Sequence, residues 1–330
     1  MDHVRSDQEL IRREELRQLN TLGVNPYPAE HFDVTHHALP IREGFDDQPE
    51  QYEEVALAGR IMNTRIMGKA AFAELQDSTG SIQLYLKRDE LCPDEDKTLY
   101  NKVFKKLLGT GDIIGVTGSV FRTETGELSV NVTSLKVLAK ALRPMPVRKA
   151  KDGEVYAGEL ADAEARYRMR YVDLVVNPEV RRGFEKRSRL IQSMRQFMVD
   201  AGMLEVETPI LQPIHGGALA RPFVTHHNTL DRDLYLRIAN ELYLKRLIVG
   251  GYDAVFEFAR VFRNEGMSRF HNPEFTVMEM YAAYKDYIWM MGFVERMLEA
   301  VAIATTGHTS VKVGEAEISF KAPFKRITMY

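Results

Sequence analysis

Between residues 52 and 142 apolar and polar residues alternate in five short runs: Val55 to Met67, Ala70 to Asp77, Ser81 to Lys87, Asp112 to Arg122 and Glu127 to Leu138. That period of two is the signature of strands with one buried face. Ser78-Thr79-Gly80 and Thr125-Gly126 supply turn chemistry between runs, and Lys97 to Leu108 carries a helical spacing between the third and fourth. The pattern predicts a five-stranded barrel with one inserted helix.

The second half has longer elements. Pro178 to Ala201 reads as a helix: Asn177 suits the cap, Pro178 the first turn and Gly202 the residue after the end. Leu190, Ile191, Met194, Phe197 and Met198 form its apolar stripe. A short strand, 203–209, closes on Pro209. Residues 256–281 then read as two strands around a loop from Gly266 to Glu274. One face carries Phe256, Phe258 and Phe262 with Thr276, Met278 and Met280; the other carries Arg263, Glu265, Phe275, Val277, Glu279 and Tyr281. A purely structural hairpin has no need of that second, polar face.

These elements divide the chain into an N-terminal helical extension over 1–51, a barrel over 52–142, a linker over 143–159 and an α+β domain over 160–330. The extension is expected to be a surface helix through Leu10, Ile11, Leu16 and Leu19; the linker is marked by Arg143-Pro144-Met145-Pro146 and Lys151-Asp152-Gly153. Five strands with a helix after the third is the layout of an oligonucleotide-binding barrel, although alternation alone suits other small barrels.

Composition narrows the class. The 330 residues are 45% hydrophobic and 28% charged, an ordinary globular balance, with net charge −3. Residues 55–150 hold 15 Lys and Arg against 10 Asp and Glu, so the barrel segment is positive within an acidic chain. That excess suits a nucleic-acid surface, and equally a solvated charged face. No segment has the length and apolarity of a membrane span, and the charged start is no secretory signal, so the chain reads as cytoplasmic. The single cysteine, Cys92, excludes an internal disulfide and reads as buried and inert. His226 and His227 are adjacent on a strand and point to opposite faces, and His31, His36 and His37 lack metal spacing, so no metal site is expected within this chain.

The polar face of the hairpin defines a ligand. Arg263 offers a fixed fork for phosphate or carboxylate, Phe275 a stacking surface and Glu265 an acceptor, which together suit a nucleotide. Arg269 and His271 in the loop are placed to close over distal phosphates. Gly216-Gly217 lets backbone approach a small ligand. Arg166, Arg168 and Arg170 suit either RNA phosphate or acidic neighbours.

The run from Phe262 to Tyr281, with its RNEG and HNPEF wording, resembles motif 2 of the class II aminoacyl-tRNA synthetases, the lysyl branch in particular. The helix from Pro178 and the strand ending at Pro209 resemble motif 1. The resemblance implies a five-stranded OB-fold anticodon barrel followed by an antiparallel-sheet catalytic domain. It implies activation of L-lysine with ATP and Mg2+, then transfer to tRNA(Lys), in a homodimer formed through the motif 1 helix. Carried over residue by residue, Arg263 bridges the lysine carboxylate and the α-phosphate; Glu265 and Phe275 hold adenine; His271 and Asn272 hold the phosphate end. Gly217 and Glu241 hold the lysine α-amine, with Glu279 and Tyr281 on the lysine side of the pocket. Arg65-Ile66-Met67-Gly68-Lys69-Ala70-Ala71-Phe72 and Ile82-Gln83-Leu84-Tyr85 resemble the family's barrel; there Phe72 stacks on a base while Arg65, Gln83 and Glu127 read base edges. Read without the family, Phe72 is a core residue.

Two local departures stand out: Asn240 occupies a position usually held by proline before the pocket glutamate, and Arg269 is not directly beside His271. No Gly-rich motif 3 follows, so the expectation is a truncated catalytic domain, weakly active or inactive alone. A non-catalytic tRNA-binding or regulatory protein is the alternative. The aspartyl and asparaginyl branches share the architecture, but the GGALARPF wording favours lysine; the barrel counts against a protein-lysylating paralogue.

Overall fold

A computed structural model describes residues 5–146, 149–151, 154–156, 160 and 162–328. The linker expected over 143–159 falls partly outside these residues. Contacts divide the chain into two compact units, Met1–Pro178 and Glu179–Tyr330.

In the first unit, strands β1 (Val55–Met67), β2 (Ala70–Gln76), β3 (Ser81–Lys87), β4 (Ile113–Arg122) and β5 (Leu128–Ala139) close a barrel in the order β1-β2-β3-β5-β4. Only β3 and β5 run parallel; the other pairs are antiparallel. The alternation explains closure. On β3, Ile82, Leu84 and Leu86 are buried while Gln83 and Tyr85 point outward, and Leu57, Ile114, Val116 and Val130 fill the same interior. The insert between β3 and β4 is a π-helix, Leu99–Leu107, that buries Tyr100, Val103, Phe104 and Leu107 against this core.

Helix α1 (Asp7–Thr21) starts at a capping box in which the Glu9 N–H donates to Ser6 Oγ and the Ser6 N–H to Glu9 Oε2. Leu10 and Ile11 are exposed and only Leu19 is fully buried. The docking face is partly ionic: Arg12 donates to the Thr110 and Ala141 carbonyls, and Lys140, itself buried, reaches Glu15 at 2.7 Å and Asp112 at 2.8 Å. Further along, α2 (Ala38–Gly44) packs Ala38 and Ile41 into the barrel core. Two short helices, α3 (Ala163–Arg168) and α4 (Arg170–Val176), carry the three arginines singled out above. Arg166 and Arg170 both pair with buried Asp173, and Arg168 pairs with Glu164 at 2.7 Å, so these charges are used internally.

Helix α5 (Pro178–Asp200) ends as its sequence requires, with Gly202 at φ +78° and the Met203 N–H donating to the Met198 carbonyl. The apolar stripe is shorter than the spacing suggests. Met194, Phe197 and Met198 join the second core, whereas residues 182–190, Leu190 included, are exposed. Strand β6 (Leu204–Glu205) follows, then β7 (Leu211–Gln212), β8 (Val224–His227) and β9 (Arg232–Leu236), the last three forming a sheet in the order β8-β9-β7. After α6 (Glu241–Val249), strands β10 (Ala254–Phe262) and β11 (Glu274–Ala282) make the long hairpin, with β6 parallel on the other side of β10. Helix α7 (Tyr287–Thr306) packs Phe293, Met297 and Val301 against Phe256, Met278 and Met280, the apolar face foreseen for the hairpin.

Candidate functional site

The β10–β11 register sets the geometry of the opposite face. Val261 pairs with Phe275, Ala259 with Val277, Glu257 with Glu279 and Val255 with Tyr281. Directly opposed residues share a face, so the four β11 side chains form a row. At ~3.3 Å per residue, Phe275 and Glu279 lie roughly 13 Å apart along the strand. The row therefore suits an elongated ligand, aromatic at one end and cationic at the other.

At the aromatic end the Arg263 guanidinium lies 5.1 Å over the Phe275 ring. Its Nε points to the Ile238 carbonyl at 3.4 Å, and its backbone N–H donates to Pro273, closing the hairpin. Among the described residues no carboxylate lies within ion-pair distance of Arg263. Arg263 and Phe275 are thus brought together with the fork left for an anion. The loop beyond leaves Glu265, His271 and Asn272 exposed. His271 Nδ1 bonds Ser268 Oγ at 2.7 Å inside a tight turn, and Arg269 lies against Phe270. Among the described hydrogen bonds none joins these loop residues to Arg263 or Phe275.

At the other end Tyr281 donates to Glu279 Oε2 at 3.0 Å. Burial raises the Glu279 carboxyl above its ordinary range and the charge of Glu241 adds to this, against the Tyr281 hydroxyl and the Asn240 N–H, which favour ionisation. The phenol of Tyr281 is pushed up by burial and by that neighbouring carboxylate. Glu241 opens α6 and pairs with Lys245 at 2.5 Å, and the Lys245 ammonium lies 5.8 Å from the Tyr281 ring centre. Gly217, at φ +84°, lies against the start of α6; a Cβ there would sit 3.1 Å from that of Glu241. Gly217, Glu241, Glu279 and Tyr281 are therefore brought close together, with Lys245 beside Glu241.

Beside the row, centred on Glu257 opposite Glu279, lies a network that periodicity did not reveal. Glu257, 2% exposed, receives Arg237 Nη1 at 2.7 Å, Thr208 Oγ1 at 2.7 Å and Asn240 Nδ2 at 3.0 Å. Burial alone would raise this carboxyl, but the hydrogen bonds from Thr208, Asn240 and Arg237 outweigh it and hold it below the ordinary range. Asn240, the N-cap residue of α6, makes no side-chain capping bond and gives its amide to Glu257 instead. The available signal was an ionisable residue inside an apolar run, Phe256-Glu257-Phe258 and Leu236-Arg237-Ile238.

A groove lies on the barrel. Arg65, Phe72, Gln83 and Glu127 all line one groove of about 500 Å³ together with Arg42, Asn63 and Thr125. Phe72 is outside the core, half-buried and stacked on Tyr85, and Gln83 donates to Ser129 at 2.8 Å. Elsewhere, His226 bonds Asp233 and His227 accepts from the Leu230 N–H. Cys92 is buried and free.

Comparison with known proteins matches the description "tRNA synthetases class II (D, K and N)" over residues 162–330, just over half of the chain. The chain belongs to this family. An "OB-fold nucleic acid binding domain" is matched over residues 55–138, the closed barrel. Among curated relatives, the lysine–tRNA ligase of Porphyromonas gingivalis is 58% identical over 325 residues, covering 98% of this chain and 56% of the relative. That of Azobacteroides pseudotrichonymphae is 56% identical, covering 98% and 64%. That of Christiangramia forsetii is also 56% identical, covering 98% and 56%. The chain thus spans somewhat more than half the length of these relatives.

Proposed function

We propose that the protein serves as a lysine–tRNA ligase, activating L-lysine with ATP and passing it to tRNA(Lys) in the cytoplasm. The observation that carries this reading is the row along β11, with Arg263 lying over the Phe275 ring and no carboxylate near it among the described residues at one end, and Glu279, with Glu241 of α6 and the glycine approach of Gly217, at the other. The Glu241–Glu279 end takes the cationic amino acid. The Arg263–Phe275 end takes the adenine nucleotide, with Glu265, His271 and Asn272 reaching it from the loop.

Lysine carboxylate attacks the α-phosphorus, the bond to pyrophosphate breaks, and lysyl-adenylate forms; the terminal ribose hydroxyl of tRNA then displaces AMP. Arg263 bridges carboxylate and α-phosphate as negative charge redistributes between them, and the row holds the two in line. Mg2+ would neutralise phosphate charge when bound with the nucleotide. It would ride on the phosphates themselves rather than on a protein site. The barrel groove takes the anticodon through Arg65, Phe72, Gln83 and Glu127. Exposed residues 182–190 of α5 supply a surface for a homodimer. Among the described residues no helix is long and apolar enough to cross a membrane.

The test is ATP–pyrophosphate exchange with each amino acid supplied separately. Exchange with lysine is expected, and exchange driven by aspartate or asparagine instead would overturn the assignment. A pH prediction follows from Glu279. Its proton affinity is raised in the fold, so the carboxylate needed to hold a cation is lost as pH falls through that raised value, earlier than for an ordinary glutamate. Lysine affinity should therefore fall on the acid side from above the usual carboxylate range and release a proton on binding there. Glu279→Gln should weaken binding and flatten that limb; an unchanged profile in titrations across pH would remove Glu279 from the site.

A further inference from the structure

Two aromatic residues assigned no role above continue the ring of Phe72 across the outside of the barrel. The register places Arg65, Phe72, Tyr85 and Asn131 side by side on β1, β2, β3 and β5, with Glu74, Gln83, Ser129 and Phe121 in the next row. The rings of Phe72 and Tyr85 are stacked, centres 4.8 Å apart at 23°, and Phe121 leans on Tyr85 at 5.8 Å and 49°. Lys87 sits 5.2 Å over Tyr85 and is held by Glu90 at 2.7 Å, which also accepts from Asn131 at 2.8 Å. All three rings are partly exposed on the outer face of a barrel whose interior is already filled. Packing gives no reason for them there. Moreover, Phe72 lines the groove with Arg65 and Gln83, whereas Tyr85 does not. One side of the Phe72 ring is therefore covered by Tyr85, and the other is turned to the groove.

We propose that Tyr85, braced by Phe121, is a positioning residue for RNA binding: it holds the Phe72 ring upright, so that one unstacked base is clamped between that ring and Arg65. This rests on the reading of the groove as an RNA site. A ring already fixed by its neighbour loses little freedom when a base stacks on it, whereas a free phenyl group would lose more. Among the described hydrogen bonds none involves the Tyr85 phenol, so the aromatic ring alone is required.

The test is fluorescence anisotropy of the 330-residue chain with an anticodon stem-loop of tRNA(Lys), compared with stem-loops made abasic at one loop position at a time. Tyr85→Ala should weaken binding roughly 10-fold and Tyr85→Phe less than about twofold, with Phe121→Ala between them. The abasic position that costs the wild type most should cost Tyr85→Ala far less, because both changes remove the same stack. Wild-type binding that ignores the loop sequence and its abasic positions would refute the RNA reading itself. Sequence-dependent wild-type binding with Tyr85→Ala unaffected would overturn only the positioning role. So would an equal loss in Tyr85→Ala for every loop, abasic ones included. Should Tyr85→Ala fold poorly, Tyr85→Leu repeats the test with a side chain that fills the space but cannot stack.

Discussion

Glu257→Ala is expected to destabilise the second unit by about 3–5 kcal/mol, the usual cost of removing one partner of a buried ion pair. Arg237 would be left 3% exposed beside the Thr208 carbonyl with no counter-charge, and the Asn240 amide would lose its acceptor. The loss arises from the stranded charge rather than from the worth of the pair, so a paired apolar replacement of Arg237 and Glu257 should recover much of it. Trp289 is the only tryptophan and packs in the same core as Phe256, so its fluorescence in a urea titration follows this unit. A change below about 1 kcal/mol would show that the network carries little. Because the Glu257 carboxyl is held below its ordinary range, its contribution is present above the unfolded-state pKa and fades as pH falls through the lowered native value. Glu257→Gln should therefore remove an acid-sensitive share of stability.

Arg263→Ala should reduce lysine-dependent ATP–pyrophosphate exchange by about 10²–10³-fold, the scale on which a charge-stabilising donor acts. Nothing else described at the Phe275 end offers a fixed cationic fork, since Arg269 lies exposed against Phe270 in the loop. Arg263→Lys should recover only part of the loss, because a point charge cannot bridge two anions as a planar fork does. RNA affinity should be unchanged, as the barrel groove belongs to the other unit. Exchange retained within a few-fold would remove Arg263 from the chemistry; loss of RNA binding as well would contradict the proposed division of labour.

Strand periodicity carried most of the fold. The barrel strands were legible because Ile82, Leu84 and Leu86 alternate with outward residues, and a closed core rewards that pattern at every step. The two faces of the hairpin were legible for the same reason. Helix α1 could be read from Leu10, Ile11, Leu16 and Leu19, but its docking through Arg12 and Glu15 could not, because ionic contacts leave no apolar period. The stripe on α5 overran for a different cause: Leu190 continues the helical spacing past the point where the hairpin and α7 provide a surface to bury it. At the site, Arg263, Phe275, Glu279 and Tyr281 could be placed on one face from spacing alone. Their roles needed the family likeness. Glu257 went unseen because its partners come from two other segments, Thr208 and the stretch holding Arg237 and Asn240, and a long-range cluster has no local signature.

The most direct measurement is calorimetric titration of the 330-residue chain with L-lysine, L-aspartate and L-asparagine, for wild type and Glu279→Gln. Binding reads the pocket without requiring turnover. Lysine should bind at least about 10-fold more tightly than either acidic or amide ligand, a difference of about 1.4 kcal/mol, and the substitution should erase most of that preference. Equal or tighter binding of aspartate or asparagine would contradict a pocket built by Glu241 and Glu279 for a cationic amino acid.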